Sequence, residues 1–505
     1  MSDTQDPRRS RLTRPTGHRA VTAVLAIVGM NASFMMTIVL PIQARLPELL
    51  DAGKDDAGWV VTVTLLVAAI VTPIAGRLGD LFGKRRVLLA LLAVLVLGSV
   101  IAGLSHSLAG VIVGRGLQGA AMGSVPLGIS ILRDVLPPAR LGPAVAFVSA
   151  TLGIGGALGL PLAALSAQLL DWHVIFWLSA VLGALCFVLV ATVVPVSVLR
   201  SLGRFDAFGA IGLALGLAGV LLAVTKGGAW GWTSPATLAC GIGGAAVLAV
   251  WAVVELRITS PLVDLRVAVR PTVLFTNLSS IALGFALFAH NVAVPQILEL
   301  PTDTGVGLGQ TLLTASLVMM PSGIIMMLGS PLTGRVAERV GGRYLLAAGA
   351  LFTALSFVWL LFFSSEVWHF LVAVVIVGVG IALAFAVMPM LIMSAVPATE
   401  TAAANGLNAL MRSLGTTTAA AVVGTILATT STEVGDTVVP SATGFTATWA
   451  VALGAGVLAA ALAMLIPRRP RDYPERESMP PTGSIPTIDW ADGRRRRVDP
   501  PRAAD

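Results

Sequence analysis

Charge is what this sequence has least of. Only 12% of its 505 residues are Asp, Glu, Lys or Arg, where soluble proteins carry about 25%, so a water-facing surface cannot enclose the whole chain. Lysine occurs three times, at Lys54, Lys84 and Lys226. None stands in Gly-Lys-Ser/Thr, which excludes a phosphate-cradling loop and therefore ATP as the drive within this chain. The two cysteines, Cys186 and Cys240, fall inside apolar stretches. They offer neither a disulfide framework nor metal spacing and read as small packing residues. Five histidines, with no Asp or Glu in the middle of any apolar run, leave no constellation for a membrane-embedded enzyme. No metal and no cofactor are expected, and a sensor's soluble domain has no room in two short, polar termini.

What the chain does have is long apolar runs. Residues of hydrophobic type make up 56%, in stretches of roughly 20, the length a helix needs to cross about 30 Å of hydrocarbon. Fourteen such runs are predicted, at 20–42, 57–76, 87–108, 109–132, 143–168, 174–198, 207–225, 236–256, 271–297, 311–333, 344–363, 367–393, 404–427 and 445–466. The strict alternation of an outer-membrane barrel is absent. With residue 1 inside, the inside segments hold 28 Lys and Arg and the outside loops only Arg45, Lys54 and Lys226. This asymmetry predicts both termini in the cytoplasm. It also accounts for the net charge of +7 without nucleic acid, basic runs such as Arg494 to Arg497 serving topology or anionic lipid. Thirty arginines against three lysines, with abundant Ala and Gly, suggest a GC-rich bacterial gene and hence a bacterial plasma membrane.

One charged stretch occurs twice. Gly76-Arg-Leu-Gly-Asp-Leu-Phe-Gly-Lys-Arg-Arg86 sits between two apolar runs, and Gly334-Arg-Val-Ala-Glu-Arg-Val-Gly-Gly-Arg343 repeats it at a constant offset of 258 residues. Gly76 matches Gly334, Asp80 matches Glu338 and Gly83 matches Gly341. Two related halves imply a carrier. The offset spans eight runs, so a helix pair is interposed between two six-helix halves. The expected organisation is a tail at 1–19, an all-α six-helix bundle at 20–200, two interposed helices at 201–256, a second six-helix bundle at 257–466 and a disordered tail at 467–505.

Further stretches stand in matching order. Arg115-Gly-Leu-Gln118-Gly119 lies in the fourth run and Trp172-His-Val-Ile-Phe176 precedes the sixth. Phe205-Asp206-Ala-Phe-Gly209 and Gly228-Ala-Trp-Gly-Trp232 bracket the seventh, and Asn405-Gly-Leu-Asn408 with Arg412 and Gly415 lies in the thirteenth. With the repeated loop, these resemble the major facilitator superfamily, and more closely its fourteen-helix drug:proton antiporter branch, over residues 20–466. The resemblance implies a 6 + 2 + 6 fold and a secondary active transporter exporting amphiphilic drugs or other small molecules. Transport would run by alternating access, with the proton gradient as energy source, a small-molecule substrate and a monomer in the bilayer. An alternative on the same fold is a dedicated carrier of one physiological solute, such as a lipid, siderophore or metabolite.

Three departures from the family's pattern stand out. Leu81 replaces a usual cation, Leu160 separates Gly159 from Pro161 where Gly and Pro are usually adjacent, and Ala32 stands where the first helix usually carries an aspartate. A cation carrier needs a buried carboxylate, so neutral, zwitterionic or anionic substrates are expected.

The candidate gating loop is Gly76, Asp80, Gly83, Lys84 and Arg85, with Gly334, Glu338, Arg339, Gly341 and Arg343 as its copy. The glycines permit a sharp turn. Asp80, expected near the start of the third helix, can pair with a cation of another helix and latch the cytoplasmic side. The plainer reading is that the cations only set topology. Arg115 sits well inside a run, where a guanidinium costs at least about 2.5 kcal/mol. It is expected to face a polar cavity with Gln118, one turn on. The resemblance implies a role in the proton's path, against the plainer reading of a structural ion pair or an anchor on backbone carbonyls; for Arg412, nearer the cytoplasm, function and anchoring stand equal. Asn31 is the polar residue nearest the missing aspartate. His290, with Gln296 nearby, is the leading titratable substitute in the cavity, against the bland reading of a satisfied buried histidine. Gly155 and Gly159, ahead of Pro161, have the spacing for close helix packing. Methionines at 35–36, 319–320, 326–327 and 388–393 read as packing residues or as a plastic cavity wall.

Overall fold

The computed structural model describes residues 17–169, 171–196, 201, 203–434 and 437–468, with 488–489 and 496–497 beyond them. The long helices are α1 (His18–Thr37), α2 (Trp59–Phe82), α3 (Lys84–Leu104), α4 (Leu108–Ala120), α5 (Ser124–Val135), α6 (Pro138–Leu169) and α7 (Val174–Val193). They continue as α8 (Ala207–Trp230), α9 (Pro235–Glu255), α10 (Pro271–Glu299), α11 (Leu312–Val340), α12 (Gly342–Phe362), α13 (Val367–Ala395), α14 (Thr401–Thr429) and α15 (Ala442–Met464). Among the described residues, 13 helices are long and apolar enough to cross a membrane. The remaining apolar run, 109–132, is α4 and α5 joined by a 3-10 turn at Ala121–Gly123. Pro126 lacks the amide that would bond the Met122 carbonyl, and its ring crowds that carbonyl, so the helix tightens there.

Several helices run longer than their apolar runs. The stretch Gly76–Arg86 is not a loop: α2 continues to Phe82, α3 starts at Lys84, and Gly83 alone joins them at φ 106°. Asp80 therefore lies in the last turn of α2 and not at the start of the next helix. The copy behaves alike, with Gly341 at φ 94° between α11 and α12. An L side chain at either link would be strained, which is why glycine recurs there. Lys226 belongs to α8 and not to a loop; it is buried with its ammonium 4.9 Å from the Trp59 ring centre. A hairpin of β1 (Ser431–Val434) and β2 (Thr437–Pro440) stands between α14 and α15, where only a connection was expected.

The helices before residue 196 pack chiefly on one another, α1 against α6 and α3 against α4 and α7. Those after residue 271 do likewise, α10 against α14 and α15, α12 against α13. Contacts cross between these groups from α6 to α11 and α13 and from α2 and α5 to α14, the most extensive being α6 on α11 and α2 on α14. Both of these crossings rest on missing side chains. A Cβ on Gly323 would meet the Gly153 carbonyl oxygen at 2.5 Å, and one on Gly76 would meet the Ala402 carbonyl oxygen at 2.5 Å, so the backbones touch only because these are glycines. The pair α8–α9 packs on itself and, through α8, on α2 and α14. Only 11% of the apolar window of α9 is buried, against 67% for α10. In an aqueous fold such a helix would be unstable; against lipid it is at home.

Residues from Arg469 onward form a unit of their own, in which Ile488–Asp489 pairs antiparallel with Arg496–Arg497. The remainder of the expected disordered tail, like residues 1–16, lies outside the described residues.

Candidate functional site: a clasp and a central cavity

Asp80, in the last turn of α2, ties that helix to the start of α14. Its buried carboxylate accepts hydrogen bonds from the amides of Ala402 (3.4 Å) and Ala403 (2.9 Å), the free donors at the start of α14. A carboxylate suits that position because the first amides of a helix lack partners and carry its positive dipole end. The expected partner was a cation from another helix; the observed one is a helix N-terminus, with Lys84 of the adjoining helix at 4.0 Å. Lys84 bonds Asp134 at 2.8 Å through both carboxylate oxygens, which ties α3 to α5. Arg133, beside Asp134, completes the clasp. Its guanidinium donates to Thr401 Oγ1 (2.6 Å) and to the carbonyls of Val396 (3.2 Å) and Pro397 (3.3 Å), the link into α14. Arg133 was missed in the sequence because it stands outside the repeated stretch; its place at the foot of a glycine- and proline-broken run was the only signal.

Arg115 is buried and has no carboxylate partner among the described residues. It donates to the Met35 carbonyl (3.0 Å), to Gln118 Oε1 (2.9 Å) and to the Val60 carbonyl (3.4 Å). Gln118 passes the chain on to Ser99 Oγ at 2.8 Å. Arg115 and Gln118 together thus join α1, α2, α3 and α4. Asn31 is buried in α1 with neither amide atom partnered.

Between the two groups of helices lies a cavity of about 20 Å³, room for about one water. Its lining includes Val125, Pro126, Ser149, Leu152, Phe385, Asn405 and Arg412. Arg412 stands over the Phe385 ring, 4.9 Å from its centre. Arg115, Gln118, Asn31, His290 and Gln296, expected at the cavity, do not line it. Substrate-sized sites measure about 300–1,000 Å³, so this space is smaller than a bound drug-sized molecule needs.

The model of the Major Facilitator Superfamily matches residues 25–415 and again 276–498. The chain belongs to this superfamily. It is a multi-pass membrane transporter and not an enzyme. Among its relatives is the multidrug resistance protein Stp of Mycobacterium tuberculosis, 27% identical over 421 residues, 81% of this chain and 76% of that one. The tetracenomycin C resistance and export protein of Streptomyces glaucescens is 27% identical over 424 residues, 82% of this chain and 76% of its own. The lincomycin resistance protein LmrB of Listeria monocytogenes is 26% identical over 337 residues, 65% of this chain and 69% of its own. The crystal structure of the human organic anion transporter MFSD10 (TETRAN) shares the fold, with a TM-score of 0.62 over 91% of this chain and 100% of that one at 14% identity.

The remaining candidates of the transporter fall into structural places. Gly83 is the link already described, and Arg85 donates to the Ala191 carbonyl of α7. In the copy, Gly334 packs on Gly142 and Pro143 at the start of α6, mirroring Gly76 on α14. Arg343 bonds the Ile466 carbonyl (3.1 Å) and the Tyr344 hydroxyl (2.6 Å), Arg339 is exposed, and the side chain of Glu338 lies outside the described residues. Gly155 and Gly159 seat α6 on α1 at Met30, Ser33 and Phe34, and Pro161 continues that helix. His290 is corrected from cavity to bundle interior. Its ring lies 6.0 Å from Phe357, which stacks on Trp449, and neither nitrogen has a partner. The apolar run 271–297 marked a crossing helix but could not say which neighbour each of its faces meets. Gln296 is half-buried and makes no side-chain hydrogen bond within the described structure. His173 bonds Asp171 and the Ser105 carbonyl, and His369 accepts the Glu366 amide, so both tie loop ends. Met35, Met319, Met326, Met388 and Met393 are buried packing residues.

A buried carboxylate at the foot of α9 also escaped notice, since it ends a run. Glu255 Oε2 accepts the Leu262 amide at 3.0 Å, while its Oε1 and Oδ2 of Asp206 have no partner and converge where a Gly209 Cβ would stand. Two facing carboxylates repel. Glu255→Gln keeps an acceptor for Leu262 and presents an N–H to Asp206, so thermal unfolding in detergent is expected to rise by about 1 kcal/mol. Asp206→Ala, which removes the cap on Gly209, is expected to lower it by about 1 kcal/mol. A fall with Glu255→Gln would contradict this account of the pair.

Proposed function

We propose that the protein exports small amphiphilic compounds across a bacterial plasma membrane, as a proton-coupled, alternating-access antiporter with both termini cytoplasmic. The observation that carries this reading is the clasp. Asp80 and Arg133 close the basic end across the two helix groups, above a cavity too small for a substrate. A carrier must alternate between such a closed end and an open one, and bonds made by a few charged groups at the seam are a bistable element that can be broken. The names of the relatives, which speak of multidrug resistance and of export, support the direction and the class of cargo. Coupling to protons is favoured over ATP by the lack of any nucleotide loop in the sequence.

The test is transport in proteoliposomes with an imposed pH gradient and a panel of amphiphilic dyes. Gradient-dependent dye movement abolished by a protonophore is expected. Dye movement indifferent to the protonophore, or none with any dye, would refute the proposal.

A further inference from the structure

The central cavity contains a cation with nothing to pair with. Arg412 reaches it from α14, and no carboxylate lies within ion-pair distance of Arg412 among the described residues. Arg115, the other arginine inside a run, fills its donors with two carbonyls and Gln118. Among the described residues Arg412 makes no such set of bonds and meets the face of Phe385. Arg412 is half-buried, and a guanidinium that meets one ring face and faces a cavity keeps its N–H donors available to a ligand. Its backbone is fixed there: a Cβ on Gly284 of α10 would meet the Arg412 carbonyl oxygen at 2.5 Å.

Two more polar groups face the same space. Asn405 gives its amide N–H to the Thr401 carbonyl at 3.0 Å, and its Oδ1 is buried without a partner. Ser149 Oγ, from α6, is likewise buried and unpartnered. Buried polar atoms are ordinarily hydrogen-bonded, and these two have no partner among the described residues. Here one acceptor, one hydroxyl and one cation converge from two helix groups on a wall of Val125, Ile129, Leu152 and Phe385.

We infer that this cavity binds the anionic group of an amphiphilic substrate. Arg412 supplies the counter-charge, Ser149 donates a hydrogen bond, Asn405 Oδ1 accepts one from a donor on the ligand, and the apolar remainder lies along Phe385 and Leu152. The inference rests on the export reading for its site and adds the charge of the cargo. Because the groups come from α6 on one side and α14 on the other, a bound anion bridges the helix groups, and occupancy shifts their equilibrium.

The experiment uses two fluorescent probes on one scaffold, 8-anilinonaphthalene-1-sulfonate and the neutral N-phenyl-1-naphthylamine, with ethidium as a cationic comparator. Binding to the full chain in nanodiscs is measured against empty nanodiscs. The wild type is expected to bind the sulfonate at least tenfold more tightly than the neutral probe. Arg412→Gln should lose that preference while keeping its affinity for the neutral probe, which also reports that the variant is folded. Arg412→Lys should retain part of the preference. Equal affinity for all three probes in the wild type, a preference for ethidium, or an unchanged sulfonate affinity in Arg412→Gln overturns the inference. Gradient-driven dye transport without anion preference would leave the export reading standing and remove only this one. An anion preference without gradient-driven transport of any dye would do the reverse.

Discussion

Asp80→Asn is expected to open the basic end of the protein without unfolding it. The carboxylate accepts two hydrogen bonds from the first amides of α14, and bonds to a charged group are worth about 1.5–3 kcal/mol. Asparagine keeps one acceptor and loses the charge, so the closed state should lose about 2 kcal/mol, roughly a thirtyfold shift in the equilibrium between closed and open. Folding should survive because Lys84 remains paired with Asp134 at 2.8 Å. The measurement is modification of Ser149→Cys, a cavity residue, by a membrane-impermeant maleimide in a chain whose Cys186 and Cys240 are replaced by Ala. Labelling from the basic side should accelerate at least tenfold, and net transport should fall by a similar factor, since a carrier that cannot close does not cycle. Arg133→Ala should act in the same direction. The double variant should be less than additive, because both residues hold the start of α14 against the first group of helices. Normal expression with wild-type transport and labelling in Asp80→Asn would refute the latch and leave the cations of this stretch with topology alone.

Arg115→Ala is expected to cost more stability than any other substitution considered. It removes three donated hydrogen bonds at once and strands the Met35 carbonyl and Gln118 Oε1 inside the first group of helices. With about 1–3 kcal/mol for each buried group left unpaired, a loss of about 4 kcal/mol follows, read as a large drop in thermal stability and in yield of folded protein. Arg115→Lys, able to reach one carbonyl but not to fork between partners, should lose about half as much. If the alanine variant melts like the wild type and fails only in transport, Arg115 belongs to the transport path and its network is incidental.

How far these features could be read in advance depends on how local their causes are. The fourth run shows the boundary: its apolar length marks a crossing, yet Pro126 splits it into α4 and α5, and Pro126 then lines the cavity. Asp80 was visible as a charged residue in a repeated stretch, while its partners lie 322 and 323 residues away. Arg412 and His290 looked alike in sequence, each a lone titratable group in an apolar run. Packing sends one to the central cavity and the other into an aromatic cluster. Arg133 and Glu255 carried no pattern at all, being ordinary charges at helix ends until another helix came to meet them.

The sequence by itself determined that this protein is a bundle of membrane helices with one charged stretch repeated between its apolar runs. Those properties come from the thickness of hydrocarbon and the cost of moving charge into it, which act on each segment separately. Only the tertiary structure decided which charges meet and which cavity they line. A helix's pattern says how much of its surface is buried but not what buries it, and the close crossings that settle the matter, Gly76 on Ala402 and Gly323 on Gly153, are made by backbones brought together from distant parts of the chain.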